Sequence, residues 1–277
     1  MISASAVAER VGQLRVRLEA VPHLRPSAVV DALFTELVEL CCTTPATLAQ
    51  AAMPGLSDHA PALRKLCAAG ESELEVHWAR RICLATDPRA EFAAFPYLRN
   101  YRDLVRMEWD AAAAMGCRLP QRIAVLGSGP LPLTGLVLAE DYGVRVLHVD
   151  RDLECLAFGD TVTSALGLSG SVDSVLADLE SPDCAPVLRA AGLGACDVIV
   201  LAALVGADAL AKRSICATLA RVVRSDAVVL VRSAVHLRSL LYPEVHAEDL
   251  TDLHVELEVH PGSDVVNSVL VARPAAG

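Results

Sequence analysis

The sequence predicts an α/β protein in which an N-terminal helical part leads into a doubly wound sheet of seven strands, parallel except for one. Three observations predict it. Residues 1–115 carry apolar spacings of three and four, with no period-2 run. From Arg118 onward, short apolar strand signals alternate five times with helical or turn segments. The chain then closes on two strand-like runs joined by a short turn, which adds an antiparallel strand to an otherwise parallel sheet.

Taken in order, Val7, Val11, Leu14 and Leu18 fall on one helix face. Val29, Leu33, Leu37 and Leu40 repeat the pattern behind Pro26-Ser27, where Ser27 serves as N-cap. Pro45 and Met53-Pro54-Gly55 break the chain. A helix over 61–84 starts with Pro in its first turn, and another covers about 97–115. Four or five helices are expected, as a domain over 1–116. The strand candidates are 122–126, 144–149, 172–177, 197–203 and 227–232, then 252–259 and 266–273 around Pro261-Gly262-Ser263. They define a second domain over 117–277, Rossmann-like and nucleotide-binding.

Composition bounds the function. The chain has 277 residues, 53% hydrophobic and 21% charged, so it folds around a sizeable core. A net charge of −10 speaks against nucleic acid or an anionic membrane as partner. No 18-residue stretch is free of charges and Gly/Pro interruptions, and the first twenty residues lack an apolar signal region. The nine cysteines are scattered without a CxxC pair, which reads as reduced thiols in a cytoplasmic protein and not as a metal cluster. The sequence sets no oligomeric state; a homodimer is compatible with it.

The chain is organised around residues 121–140. Ile123-Ala124-Val125-Leu126 is a strand that breaks at Gly127-Ser128-Gly129, and a helical pattern follows Pro132. Strand, glycine turn and helix N-terminus make a nucleotide site. The NAD fingerprint needs a small third residue, where this chain has Pro132. Pro130 and Pro132 also each remove an N–H that a pyrophosphate would use. S-adenosylmethionine (SAM) carries no phosphate and does not need that cradle. Asp150 ends the second strand, where a carboxylate accepts from ribose hydroxyls; Asp178 ends the third, where one accepts from the adenine amino group. The alternative for either is a solvated turn or N-cap. Together these features favour SAM over NAD and a class I SAM-methyltransferase-like fold.

With those residues placed, the chain resembles the nicotianamine synthase family, which includes bacterial synthases of staphylopine-type opine metallophores. The motifs that carry the resemblance are Gly127-Ser128-Gly129-Pro130-Leu131-Pro132-Leu133-Thr134, Leu201-Ala202-Ala203-Leu204-Val205-Gly206, and Arg232-Ser233-Ala234 with Leu241-Tyr242-Pro243. Asp264-Val265-Val266-Asn267-Ser268-Val269 follows. In the helical part, Glu71, Leu74-Glu75, His77, Asn100-Tyr101 and Glu108 match. The resemblance runs over 63–273. It implies transfer of the 3-amino-3-carboxypropyl group of SAM to an amine, with methylthioadenosine leaving and a metal chelator as product. Variants would transfer once to histidine or close SAM to azetidine-2-carboxylate. A non-catalytic SAM sensor is the alternative from another class.

The displacement at Cγ already has a sulfonium leaving group, so the protein must position an amine and accept its proton, with no metal required. Glu71 and Glu75, at i and i+4 on a core-facing arc, repel each other and lose hydration, which raises a pKa toward neutrality. Glu75 is the expected base or amine anchor, Glu71 its support, and Tyr101 an orienting or relaying phenol. The alternative for the two carboxylates is a salt bridge to arginine. Gly127, Ser128, Gly129, Pro130, Asp150, Asp178, Ala202 and Leu204 are expected to hold SAM, and Arg232 and Asn100 the substrate. For Arg232 a structural aspartate such as Asp264 is an equal alternative. His260 and Asn267 are expected to be structural.

Overall fold

A computed structural model describes residues 3–206, 208–262 and 264–275. Six helices come first: α1 (Ala4–Ala20), α2 (Ala28–Thr43), α3 (Ala46–Ala52), α4 (Ala60–Leu84), α5 (Pro88–Ala93) and α6 (Leu98–Ala114). They are one or two more than expected, because α3 and α5 are too short to show a period. Pro45 and Pro88 open them; Asp87 caps α5 by accepting from the N–H groups of Arg89 and Ala90. Val7, Val11, Leu14 and Leu18 are the buried face of α1, as the spacing predicts. On α2 the buried face is Val30, Leu33, Leu37 and Cys41, one residue round from the expected arc, and Val29 is exposed.

The sheet follows: β1 (Arg122–Leu126), α7 (Leu133–Asp141), β2 (Arg145–Asp150), α8 (Leu153–Ala165), β3 (Val172–Leu176), α9 (Cys184–Ala190), β4 (Val198–Leu201), α10 (Ala209–Val222), β5 (Val228–Ser233), β6 (Leu253–Val259) and β7 (Ser268–Pro274). The strand order is β3-β2-β1-β4-β5-β7-β6, and only β7 runs against its neighbours. β4 stops at Leu201 instead of 203, because 202–206 turns away, with Gly206 at φ +66°. The connection before β7 spans 260–267 and is longer than the expected three-residue turn, of which Ser263 lies outside the described residues.

Alternation along the central strands sorts the core onto two faces. Val125, Val200, Leu230 and Val271 pack under α6, α7 and the C-terminal half of α4. Leu126, Leu201, Val231 and Leu270 pack against α9 and α10. A third cluster joins α1–α3 and the start of α4 to Leu237, Leu240 and Leu241. Helix α4 therefore runs from one apolar cluster to another, and its middle section is left facing the C-terminal edge of the sheet. Close contact helps hold it there: at Gly70 a Cβ would come within 2.4 Å of the Phe34 ring.

Candidate active site

Open α/β sheets bind ligands beyond the C-terminal ends of their strands, where the strand order reverses. Here β1 lies between β2 and β4, and a cavity of about 360 Å³ opens beyond their ends. The turn after β1 forms its floor. Gly127 and Gly129 adopt φ of +83° and +70°, which side chains strain to reach. The N–H groups of Gly127 and Ser128 donate to the carbonyl of Val149, at 2.8 and 3.3 Å. At Gly127 a Cβ would lie 2.3 Å from Val205, so the turns after β1 and β4 are packed together. Buried Lys212 braces the second turn by donating to the Val205 carbonyl, and burial pulls its pKa down to about 8.

Asp150 accepts from the N–H of Gly129 at 2.9 Å through one oxygen and from that of Asp152 at 3.0 Å through the other. It thus ties the glycine turn to the end of β2, and a carboxylate still has lone pairs to spare for a ligand. Asp178 lies two residues beyond β3 and not at its end; its Oδ1 accepts from Glu180 N–H at 3.0 Å, and it lines the cavity. Gly127, Ser128, Gly129, Pro130, Ala202 and Leu204 line the same side.

Across from them stands α4. Glu71 and Glu75 face the cavity on successive turns of the helix. Tyr101 and Tyr242 both donate to Glu71 Oε1, at 3.2 and 2.9 Å. Loss of hydration raises the Glu71 carboxyl, and the two phenols, with the more distant Arg232, hold it back. Glu75 has less help and rises well above the carboxylate range. Burial is the main cause, with the neighbouring Glu71 and then Asp150 adding to it; only the Leu131 N–H opposes them. Both phenols are themselves pushed up by burial and by Glu71, so they stay protonated as donors. Among the described residues no arginine forms a salt bridge with either carboxyl; Arg232, which acts on Glu71 from a distance, is bridged to Glu108.

Within the protein, the partner of Arg232 is Glu108 and not Asp264. The guanidinium donates from Nε to Glu108 Oε1 at 2.7 Å and from Nη2 to Glu108 Oε2 at 3.0 Å, and Nη2 also reaches Thr134 Oγ1 at 2.8 Å. Both ions are buried, and this fork leaves one edge of the guanidinium for the cavity it lines. Asn100 requires a correction. Its amide donates to the carbonyl of Asp264 at 3.0 Å, and it does not line the cavity; it secures the segment leading into β7. Asn267, expected to be structural, lines the cavity. His260 Nδ1 lies 3.0 Å from Ser268 Oγ, and the residue does not line the cavity.

Tyr242 and Thr134 were not singled out from sequence, although both sit in motifs. Their signal was weak: a phenol after a short 3-10 turn and a hydroxyl in the first turn of an apolar helix.

The chemistry available is plain. One side of the cavity offers the glycine turn with the carboxylates of Asp150 and Asp178; the other offers two carboxyls, two phenols and an anchored cation.

Comparisons with known proteins give the family and the fold. The profile of the family described as nicotianamine synthase protein matches residues 2–276. Nicotianamine synthase 2 of Oryza sativa subsp. japonica is 37% identical over 279 residues, 98% of this chain and 83% of its own. Among solved structures, MtNAS in complex with MTA and tNA has a TM-score of 0.82 at 23% identity, covering 97% of this chain and 98% of that one. A glutamate-to-glutamine mutant of MtNAS in complex with S-adenosylmethionine has the same score, identity and coverage. These two likenesses bear on the fold.

Proposed function

This chain belongs to the nicotianamine synthase family, and we propose that it transfers the 3-amino-3-carboxypropyl group of SAM to an amine acceptor, releasing methylthioadenosine. The product is nicotianamine or a nicotianamine-like metal chelator. The observation that carries the reading is the pairing of Glu71 and Glu75 opposite the glycine turn, with two phenols on one of them.

The glycine turn, Asp150, Asp178 and the 202–205 turn hold the adenosine of SAM. The aminocarboxypropyl arm then extends toward α4. An acceptor amine attacks Cγ with its lone pair; the Cγ–S bond breaks, its electrons stay on sulfur, and neutral methylthioadenosine leaves. The new ammonium gives its proton to Glu75, whose raised pKa suits proton transfer near neutrality. Glu71, fixed by Tyr101 and Tyr242, anchors the amine, and Arg232 pairs with a substrate carboxylate. In this reading Glu71 and Glu75 hold the amine in line with the Cγ–S bond, which sets attack at Cγ rather than at the methyl carbon.

Incubation with SAM alone, followed by mass spectrometry, tests this. Methylthioadenosine together with a condensed product is expected. A product formed only when histidine is added would replace the acceptor with histidine. S-adenosylhomocysteine as the by-product would overturn the proposal in favour of methyl transfer.

A further inference from the structure

Asn267 is the residue before β7, and it is 8% exposed on the cavity wall. Its Nδ2 is buried and has no hydrogen-bond partner among the described residues. Native proteins seldom keep such a donor without a use. The backbone that carries it is secured, because the Asp264 carbonyl accepts from Asn100 Nδ2 at 3.0 Å and from Cys42 Sγ at 3.6 Å. Looseness therefore does not explain the orphan.

Strand register says what stands beside it. Arg232 pairs with Val269, so positions 232 and 269 project from one face of the sheet, and Asn267, just before β7, lines the same cavity as Arg232. Glu108 and Thr134 occupy Nε and Nη2 of Arg232, while Nη1 has no acceptor among the described residues. An asparagine side chain and a cation with a spare N–H thus share one wall. The facing helix carries the two carboxyls, Glu71 and Glu75. An α-amino acid has an ammonium and a carboxylate, and the two walls divide those charges between them.

We infer that Asn267 and Arg232 together form the carboxylate subsite for the amine-bearing substrate, with the Asn267 amide donating to one carboxylate oxygen. The inference rests on the transfer reading above. A turn about the last side-chain torsion, which is soft, presents Nδ2 to the cavity. Two fixed points, the carboxylate here and the amine at Glu71 and Glu75, set the line of attack on Cγ. Asn267 is accordingly a positioning and specificity residue. A second cation at its place would repel Arg232, and an aspartate would repel the ligand.

The test uses calorimetry on the full chain with nicotianamine as probe in the presence of methylthioadenosine, alongside methylthioadenosine alone. Asn267→Ala should weaken nicotianamine binding about ten- to a hundredfold, the worth of one hydrogen bond to a charged group. Asn267→Asp should weaken it further, and methylthioadenosine binding should stay within about twofold in both. The rate of methylthioadenosine release from SAM should fall with nicotianamine affinity. Unchanged nicotianamine binding in both variants would overturn the inference. Equal loss of both ligands with a lowered melting temperature would overturn it too, making Asn267 structural. A wild-type chain that releases no methylthioadenosine from SAM would instead overturn the transfer reading, and the subsite with it.

Discussion

The carboxylate of Glu75 rests against the backbone of Gly129: a Cβ on that glycine would lie 2.7 Å from Glu75 Oε2. The helix that carries the proposed base and the turn that holds the proposed nucleotide are therefore in direct contact. Gly129→Ala should push Glu75 off its line while also straining a backbone at φ +70°. Methylthioadenosine release should drop roughly a hundredfold, as small misplacements of catalytic groups do. Release within about twofold of wild type would show that Glu75 moves aside without consequence.

Glu75→Gln removes the proton acceptor and keeps the shape. Turnover should fall by about 10²–10⁴-fold, while SAM affinity by calorimetry stays close to wild type. In the wild-type enzyme the rate should rise with pH along a limb lying above the ordinary carboxylate range, because burial and Glu71 hold the Glu75 carboxyl up. Wild-type turnover in the glutamine variant would remove Glu75 from the mechanism.

The same two carboxyls make stability depend on pH. Their folded pKa values lie above the unfolded value of about 4.3, so between the two the folded state holds more protons. Their contribution is fully present below the unfolded value and is lost as pH rises through the folded ones. Thermal melts of the ligand-free protein should therefore fall with rising pH across that window. Glu75→Gln should flatten the decline and melt higher at its alkaline end; an unchanged slope would place the effect elsewhere.

Tyr242 and Tyr101 share one oxygen of Glu71. Each donated bond favours the ionised carboxylate, so removing one raises the Glu71 pKa further. In Tyr242→Phe the pH below which Glu71 loses its charge, and with it its hold on the amine, should move up, with greater loss of rate at the acidic end than at the alkaline end. A loss equal at every pH would mean that the phenol serves only packing.

Gly135 lies in the first turn of α7 over His148, and a Cβ there would meet His148 Nε2 at 1.8 Å. Burial holds the His148 pKa down to about 4, so the ring stays neutral beneath the helix. Alanine in a helix normally gains about 1 kcal/mol over glycine. Here overpacking, at a cost of about 1–3 kcal/mol, should outweigh that gain. Gly135→Ala should lower the melting temperature by several degrees, and a raised one would show that the helix shifts freely.

The sequence by itself determined the parts that rest on local pattern. Alternation in runs such as Ile123 to Leu126 sets both faces of a strand, and the spacing of Val7, Val11, Leu14 and Leu18 sets one helix face. Gly127 and Gly129 mark a turn because they alone reach positive φ without strain, and Glu71 and Glu75 share a face because i and i+4 must. Tertiary structure decided everything that joins distant segments. Tyr242 meets Glu71 across 171 residues and Glu108 meets Arg232 across 124. Asn100, a neighbour of Tyr101 in sequence, turns to Asp264 instead of the cavity, whereas Asn267 turns toward it. The physical reason is range. Backbone periodicity fixes where a side chain points relative to its own element, but its partner depends on how whole elements pack, and no spacing within one segment records that.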